Sequence, residues 1–110
     1  MILFFDTETT GLPKDWKTLA SKSDNWPRMV QLAYQLYDWN GNLKLTGNEI
    51  IKPEGFNIPK NASAVHGITD FVALSEGSDL EDVLYTFLSI LEIELGNLIM
   101  LLLFFFIYFF

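Results

Sequence analysis

The sequence predicts one mixed α/β domain, in which strands come first and a long helix follows. Residues 2–5 form a continuous apolar run without helical spacing, which is typical of a strand buried on both faces. Residues 30–36 alternate apolar and polar side chains, which indicates a strand with one buried face. Residues 80–91 carry apolar side chains at helical spacing. The chain has 110 residues, the length of one small domain with one hydrophobic core.

The second and third strands are predicted to form a β-hairpin. Asn40 and Gly41 form a dipeptide favoured where both central residues of a tight turn have positive φ. Residues 43–51 supply the returning strand, which ends before Pro53. The apolar face of the preceding strand consists of Val30, Leu32, Tyr34 and Leu36.

Two helices and a last strand complete the predicted β-β-β-α-β order. Residues 59–67 can form a short helix that ends at Gly67. Ser78 and Glu81 have the spacing of a capping box, which predicts the start of the long helix. Gly96 and Asn97 are expected to end that helix, and residues 98–103 have the composition of another buried strand. The apolar positions of the long helix are Leu80, Val83, Leu84, Phe87, Leu88 and Leu91.

Residues 12–27 are polar and irregular, with two prolines and three lysines, and they predict a long surface loop. Its lysines could contact a nucleic-acid backbone, although a solvated loop face is the favoured interpretation. Arg28 is likewise interpreted as a surface residue at the start of a strand rather than as a phosphate ligand. The lysines are Lys14, Lys17 and Lys22.

Composition excludes several classes of site. The chain has no cysteine, which excludes disulfides, thiolate nucleophiles and zinc sites that use sulfur. Its net charge is −7, so a nucleic-acid partner would require bound cations or a local basic surface. The amino terminus has no positively charged lead-in and reaches Asp6 after four apolar residues, which does not fit a secretory signal. A cytoplasmic location is therefore expected.

Asp6 and Glu8 are the strongest candidates for chemistry. They lie two residues apart at the end of the first predicted strand, so they point to one face with Cα atoms roughly 6.5–7 Å apart. Mg²⁺ and Mn²⁺ prefer oxygen ligands and keep several waters, so two carboxylates on a rigid strand form a suitable partial site. Thr7 and Thr9 add amides and hydroxyls that could contact a nucleotide. The alternative is a strand that simply ends in polar, water-facing residues.

Three stretches resemble the DEDD exonucleases, the DnaQ-like family that includes the proofreading epsilon subunit of bacterial DNA polymerase III. The first is residues 4–13 (FFDTETTGLP), which resemble the first motif of that family. The others are residues 26–33 (WPRMVQLA) and residues 64–69 (AVHGIT), in the family's order. Together the matches cover residues 1 to about 95.

The resemblance implies the N-terminal part of a ribonuclease H-like fold: a three-stranded antiparallel sheet, a helix and the start of a parallel strand. It also implies two-metal hydrolysis with Mg²⁺ or Mn²⁺ that removes nucleotides from a 3′ end. Asp6 and Glu8 would be the catalytic metal ligands. The implied partner is a single-stranded nucleic-acid 3′ end, with DNA favoured and the choice between DNA and RNA left open. A DNA polymerase is a further candidate, and a membrane is not expected. The residues expected to contact substrate are Thr7, Thr9, Leu12 and His66.

His66 is not assigned as the general base, because the family's base belongs to a later motif. A histidine packed at a helix end is the alternative to a substrate-lining role. The family uses four metal-binding carboxylates, whereas nothing acidic follows Glu94 in this sequence. A noncatalytic remnant that binds nucleic acid or protein is therefore the alternative function.

Residues 1–97 are expected to be a partial exonuclease domain, and residues 98–110 an apolar, Phe-rich tail outside the family. As a helix the tail would span about 20 Å, short of the roughly 30 Å of a bilayer's hydrocarbon core. Membrane association through the tail belongs only to the alternative function. The favoured hypothesis is that the genuine sequence stops near Asn97 or Leu103 and that the rest reflects an altered reading frame or a truncated gene.

Overall fold

The computed structural model describes residues 1–95 and 100–103. Its four-stranded sheet has the order β3-β2-β1-β4, with β2 antiparallel to both β1 and β3, and β4 parallel to β1. This confirms the predicted α/β architecture of a three-stranded antiparallel sheet, a helix and a parallel strand. A 3₁₀ turn at Ser23–Asn25 interrupts the predicted loop. The strands are β1 Ile2–Thr9, β2 Met29–Tyr37, β3 Leu43–Ile50 and β4 Met100–Leu103, and the helices are α1 Lys60–His66, α2 Asp70–Glu76 and α3 Leu80–Leu95.

One face of the sheet carries the core. Leu3 is paired with Leu36 and Phe5 with Tyr34, and directly paired residues share a face. α3 packs on this face through Phe87, whose ring centroid lies 5.1 Å from that of Tyr34 and 5.6 Å from that of Phe5. These rings are tilted or edge-on, the arrangements that aromatic pairs prefer. The core residues of β2 are those that the alternation predicts: Val30, Leu32, Tyr34 and Leu36.

The other face of β1 is covered less than the sequence predicts. Leu3 is fully buried, whereas Ile2 and Phe4 on the opposite face are only partly buried. The physical reason is that the apolar residues of α3 pack on the Leu3 face. The expectation of a strand buried on both faces is therefore wrong for the described residues, and the face that carries Phe4 is open along part of its length.

α1 and α2 form a second apolar cluster beside the start of β2. Its members are small or branched side chains that let two short helices approach the sheet closely. The buried residues of this cluster are Val30, Ile58, Ala62, Ile68 and Ala73.

Residues 66–70 form the joint between these two helices. Gly67 ends α1 with φ +77°, a left-handed conformation that favours glycine. Thr69 begins α2, because its hydroxyl accepts a hydrogen bond from the Val72 amide at 3.3 Å. Asp70 accepts one from the Ile58 amide at 2.8 Å and so holds the preceding chain. The sequence predicts the end of α1 at Gly67 correctly but does not predict α2.

The start of α3 also differs from the prediction. Ser78 and Glu81 form no capping box among the described hydrogen bonds. Instead, the Ser78 amide donates to the Ile50 carbonyl and the Ser78 carbonyl accepts from the Lys52 amide, both at 2.8 Å. These bonds extend the sheet by an isolated bridge to Ile51, so α3 begins only at Leu80. The predicted helix end at Gly96 and Asn97 and the first two residues of the last predicted strand lie outside the described residues.

The β2–β3 hairpin exists, but its turn is not the predicted two-residue type. Gly41 alone has positive φ, +85°, and the connection spans residues 38–42. The Asp38 carboxylate holds this connection, because it accepts hydrogen bonds from the amides of Asn40 and Asn42, each at 2.9 Å. A side chain that bonds backbone amides can replace backbone pairing in a turn.

We expect the hairpin to make folding stability depend on acid pH through Asp38. Its hydrogen bonds with Asn42, then the amide of Asn40 and the charge of Lys44, hold the pKa of Asp38 below its ordinary value of 3.8. The stabilisation is therefore present above pH 3.8 and is lost as the pH falls through the folded-state pKa. The Asp38→Asn variant should lose that part of the slope in acid unfolding followed by circular dichroism. Asp82→Asn, a change at an exposed position of α3, is the control, and an unchanged slope in Asp38→Asn would contradict the assignment.

Within residues 1–95 and 100–103, no helix has the length and apolar character needed to cross a membrane.

Candidate functional site

Asp6 and Glu8 lie on the open face of the sheet, near the end of β1. Asp6 is paired with Ala33 and Glu8 with Gln31 on β2. The register shifts only after Glu8, between Glu8 and Thr9, so the alternation of side chains is unbroken through both carboxylates. β2 pairs with the backbone that carries the two carboxylates and so helps to fix it, whereas β4 pairs with β1 only from Ile2 to Phe5. The predicted common face is thus supported by the register of the strands.

The electrostatics of the pair favour a cation. Burial raises the pKa of the Glu8 carboxyl above its ordinary value of 4.5, and the negative charge of Asp6 raises this pKa further. The charge of His66 partly opposes the shift, which places His66 within electrostatic range of Glu8. Two negative charges close enough for one to raise the pKa of Glu8 also favour a bound divalent cation, since the cation relieves the repulsion.

Asp6 borders a shallow, open depression of about 420 Å³ on the sheet surface. One carboxylate oxygen, Oδ1, accepts a hydrogen bond from the Thr7 amide at 2.9 Å, which helps to fix the side chain. The residues that line the depression are Phe4, Phe5, Asp6, Ala33, Tyr34, Gln35, Thr46, Gly47 and Asn48.

The donor set fits a hard divalent cation in part. Asp6 and Glu8 provide carboxylate oxygens, and a cation such as Mg²⁺ that keeps several waters can bind through one or two carboxylates. Within the described part of the chain, no cluster of three or more His, Cys, Asp or Glu residues has the geometry of a metal site. Among the described residues, Asp6 and Glu8 are thus two carboxylates on one face that can supply oxygen ligands to such a cation.

The predicted substrate residues of β1 and its exit are placed differently from the carboxylates. Thr7 alternates with them, so its side chain points to the opposite face of the strand, whereas Thr9 follows the register shift. The Thr9 hydroxyl donates to the Gly11 carbonyl at 2.8 Å and accepts from the Gly11 amide at 3.3 Å, which fixes the turn after β1. Leu12 follows this turn with an exposed side chain. Near the carboxylates, Thr7 therefore offers its backbone rather than its hydroxyl, and the Thr9 hydroxyl is already bonded within the turn.

His66 has a buried polar atom with no partner. Its Nδ1 accepts a hydrogen bond from the Ile68 amide at 3.1 Å, so the neutral ring carries its proton on Nε2. Nε2 is buried and has no hydrogen-bond partner among the described residues. An unsatisfied buried donor costs free energy. The structure thus places His66 near Glu8, together with a free donor.

The structure adds one feature near the site that the sequence does not indicate. The Arg28 guanidinium lies 4.7 Å from the centroid of the Phe56 ring, within the range of a cation–π interaction. Arg28 is also joined to the chain just beyond β1, since its amide donates to the Thr10 hydroxyl at 2.9 Å. Arg28 and Phe56 are 28 residues apart, so no local pattern could have revealed this contact.

Comparison with solved structures shows the fold. E. coli exonuclease I in complex with a 5cy-dA13 oligonucleotide superimposes with a TM-score of 0.65 at 21% sequence identity, over 84% of this chain and 18% of that one. E. coli exonuclease I in complex with a dT13 oligonucleotide gives a TM-score of 0.64 at 22% identity, over the same shares of the two chains. A full-length 3′-exonuclease gives a TM-score of 0.65 at 16% identity, over 94% of this chain and 33% of that one.

At these identities the likeness is one of fold, and this chain has the α/β, ribonuclease H-like fold of those exonucleases. It spans about a fifth to a third of their length. No protein-family model and no curated protein sequence matches the chain.

Proposed function

We propose that this chain carries the N-terminal part of a divalent-metal-dependent 3′–5′ exonuclease of the DNA proofreading or repair type. Asp6 and Glu8 would be its metal ligands and Mg²⁺ or Mn²⁺ its cofactor. The observation that carries the proposal is the pair of mutually repelling carboxylates on one face of an unbroken β1. The fold shared with 3′-exonucleases and the motif at residues 4–13 support it.

In this proposal the carboxylates bind the metal, and the neighbouring residues contact the substrate. Asp6 and Glu8 would hold the cation, which when bound would supply positive charge beside the phosphodiester and lower the pKa of a coordinated water. His66, which lies within electrostatic range of Glu8, would border the terminal nucleotide. The backbone around Thr7 and Thr9, with Leu12 after it, would border the same nucleotide. A DNA polymerase partner and a cytoplasmic location, both expected from the sequence, complete the proposal.

The test is digestion of single-stranded DNA labelled at either end. The chain with Mg²⁺ should release nucleotides from the 3′ end and stop when the cation is chelated. Asp6→Asn should lower the rate more than about 100-fold, because the loss of a direct ligand should exceed the 10–100-fold cost of losing an outer contact. Asp82→Asn, an isosteric change on α3, should digest at the unchanged rate.

Two outcomes would count against this proposal. Digestion by Asp6→Asn at the normal rate would show that the carboxylate pair is not the site. Tight binding of the oligonucleotide without any digestion, with Mg²⁺ or Mn²⁺, would favour the alternative of a noncatalytic nucleic-acid-binding domain. Four carboxylates are expected at a complete site of the family, and this chain supplies two, which is the reason to consider that alternative.

A further inference from the structure

Hydrogen bonds join the two ends of the connection between β1 and β2. The Thr10 amide donates to the Arg28 carbonyl at 2.9 Å, and the Arg28 amide donates to the Thr10 hydroxyl at 2.9 Å. These bonds join the two ends of residues 12–27, which we call the 12–27 loop. Thr10, at which the loop is closed, lies two residues after Glu8. The loop therefore begins at the end of β1 and ends at the start of β2, beside the candidate cation site.

The interior of the 12–27 loop is also held by specific bonds. The side-chain amide of Asn25 accepts from the Asp15 amide at 2.7 Å and donates to the Asp15 carbonyl at 2.9 Å. The Lys14 amide donates to the Asn25 carbonyl at 3.0 Å. Such pairing lets one side chain act as a short piece of backbone ladder, so the loop is a shaped surface and its exposed side chains have defined positions.

The two tryptophans of the 12–27 loop have different roles. Trp26 is partly buried, and its indole N–H donates to the Leu19 carbonyl at 3.0 Å, so it is a structural residue. Trp16 is 63% exposed and has no hydrogen-bond or ring partner among the described residues. A large aromatic ring held on an ordered loop without a partner is suited to stacking on a ligand.

The charge near Trp16 has the opposite sign to that of the chain. The 12–27 loop holds three lysines and two aspartates, and Arg28 follows directly. The whole chain has a net charge of −7, so this basic surface is local. Basic side chains beside an exposed aromatic ring are the combination that binds single-stranded nucleic acid, since phosphates pair with the cations and bases stack on the ring.

We propose that the 12–27 loop is a docking surface for single-stranded nucleic acid, on which Trp16 stacks with a base while Lys14, Lys17 and Arg28 contact phosphates. The inference rests on the proposed function for its substrate class, since it places this surface next to the cation site. It adds a binding element that neither the carboxylates nor His66 provide.

The experiment is a titration of the full chain with a short oligothymidylate in buffer without divalent cations, followed by tryptophan fluorescence and by anisotropy of a labelled oligonucleotide. Trp16→Ala should bind about ten-fold more weakly, the effect of losing one stacked base. Trp16→Phe should keep most of the affinity, because it keeps an aromatic face. Trp39→Ala is the matched control: Trp39 is 57% exposed, but it lies in the hairpin connection at the opposite end of the sheet.

The salt dependence tests the lysines separately. For a single strand, Lys17→Ala should lower the slope of log affinity against log salt by about 0.7, whereas Lys44→Ala near the hairpin should leave it unchanged. Equal affinities of Trp16→Ala and the unchanged chain would overturn the proposal. So would equally tight binding of polyglutamate, which would identify an acidic protein as the partner.

Failure of this inference and failure of the proposed function give different results. If Trp16→Ala binds and digests DNA normally, the docking surface is wrong and the nuclease assignment stands. If the chain binds oligothymidylate through Trp16 but digests no DNA with Mg²⁺ or Mn²⁺, the docking surface stands and the nuclease assignment fails.

Discussion

The Glu8→Gln variant is expected to bind Mn²⁺ more than about 100-fold more weakly than the unchanged chain, because it removes one of two carboxylates that face the same side of β1. Free Mn²⁺, followed by electron paramagnetic resonance during a titration, measures this directly. The measured affinity for Mn²⁺ does not depend on catalysis, so the test remains valid if the chain cleaves no DNA on its own.

α3 offers a matched control. Glu92 and Glu94 are also two residues apart, but two helical steps turn by about 200°, so these side chains point to opposite sides. Glu92→Gln should therefore leave Mn²⁺ binding unchanged. An equal loss in both variants would mean that the cation responds to net charge rather than to the pair on β1.

The same Glu8→Gln change should raise stability in the absence of metal. The folded-state pKa of Glu8 lies above 4.5, so between 4.5 and that higher pKa the folded chain binds more protons than the unfolded chain. Stability is then lost as the pH rises through this window, and the loss persists at neutral pH. Thermal unfolding at pH 7 with chelator should show a higher Tm for Glu8→Gln, and added Mg²⁺ should raise the Tm of the unchanged chain only. A lower Tm for the metal-free variant would contradict the electrostatic argument.

Gly77→Ala is expected to destabilise the fold by about 3 kcal/mol, the upper end of the usual cost of overpacking. Gly77 has an ordinary φ of −73°, so the cost is one of space rather than of backbone conformation. An added Cβ would meet the Ala73 carbonyl oxygen and would lie 2.6 Å from the Lys52 amide nitrogen. Both are backbone atoms. A shift of Lys52 would break its bond to Ser78, and a shift of the Ala73 carbonyl would weaken the bond that it accepts from the Gly77 amide.

Denaturant unfolding followed by circular dichroism measures this loss. Glu76→Ala, one residue earlier, is the control, since Glu76 is exposed and helical and should change stability by less than about 0.5 kcal/mol. Equal midpoints for Gly77→Ala and the unchanged chain would show that α2 can shift away from the sheet.

The strands and the carboxylate pair could be predicted because their signals are local. The alternation from Val30 to Leu36 fixes which face is buried, and the two-residue repeat puts Asp6 and Glu8 on one side of β1. The end of α1 could likewise be predicted from Gly67 alone, because glycine tolerates positive φ.

The features that were missed depend on tertiary contacts. Ser78 has the sequence context of a helix cap, but its backbone pairs with Ile50 and Lys52 instead. α2 is short, and much of what holds it comes from contacts distant in sequence, such as the bond from Ile58 to Asp70. The free Nε2 of His66 and the contact of Arg28 with Phe56 also involve partners or burial that no sequence spacing encodes.

Because two hydrogen bonds join Thr10 to Arg28, the 12–27 loop can change length without a change in the strands that it connects. Both ends are anchored there, so an insertion mainly changes the entropy of closing the loop, about 0.6 kcal/mol for each doubling of its length. An insertion in this segment would therefore change the surface that it presents, while the backbone of β1 keeps the spacing of the two acidic groups.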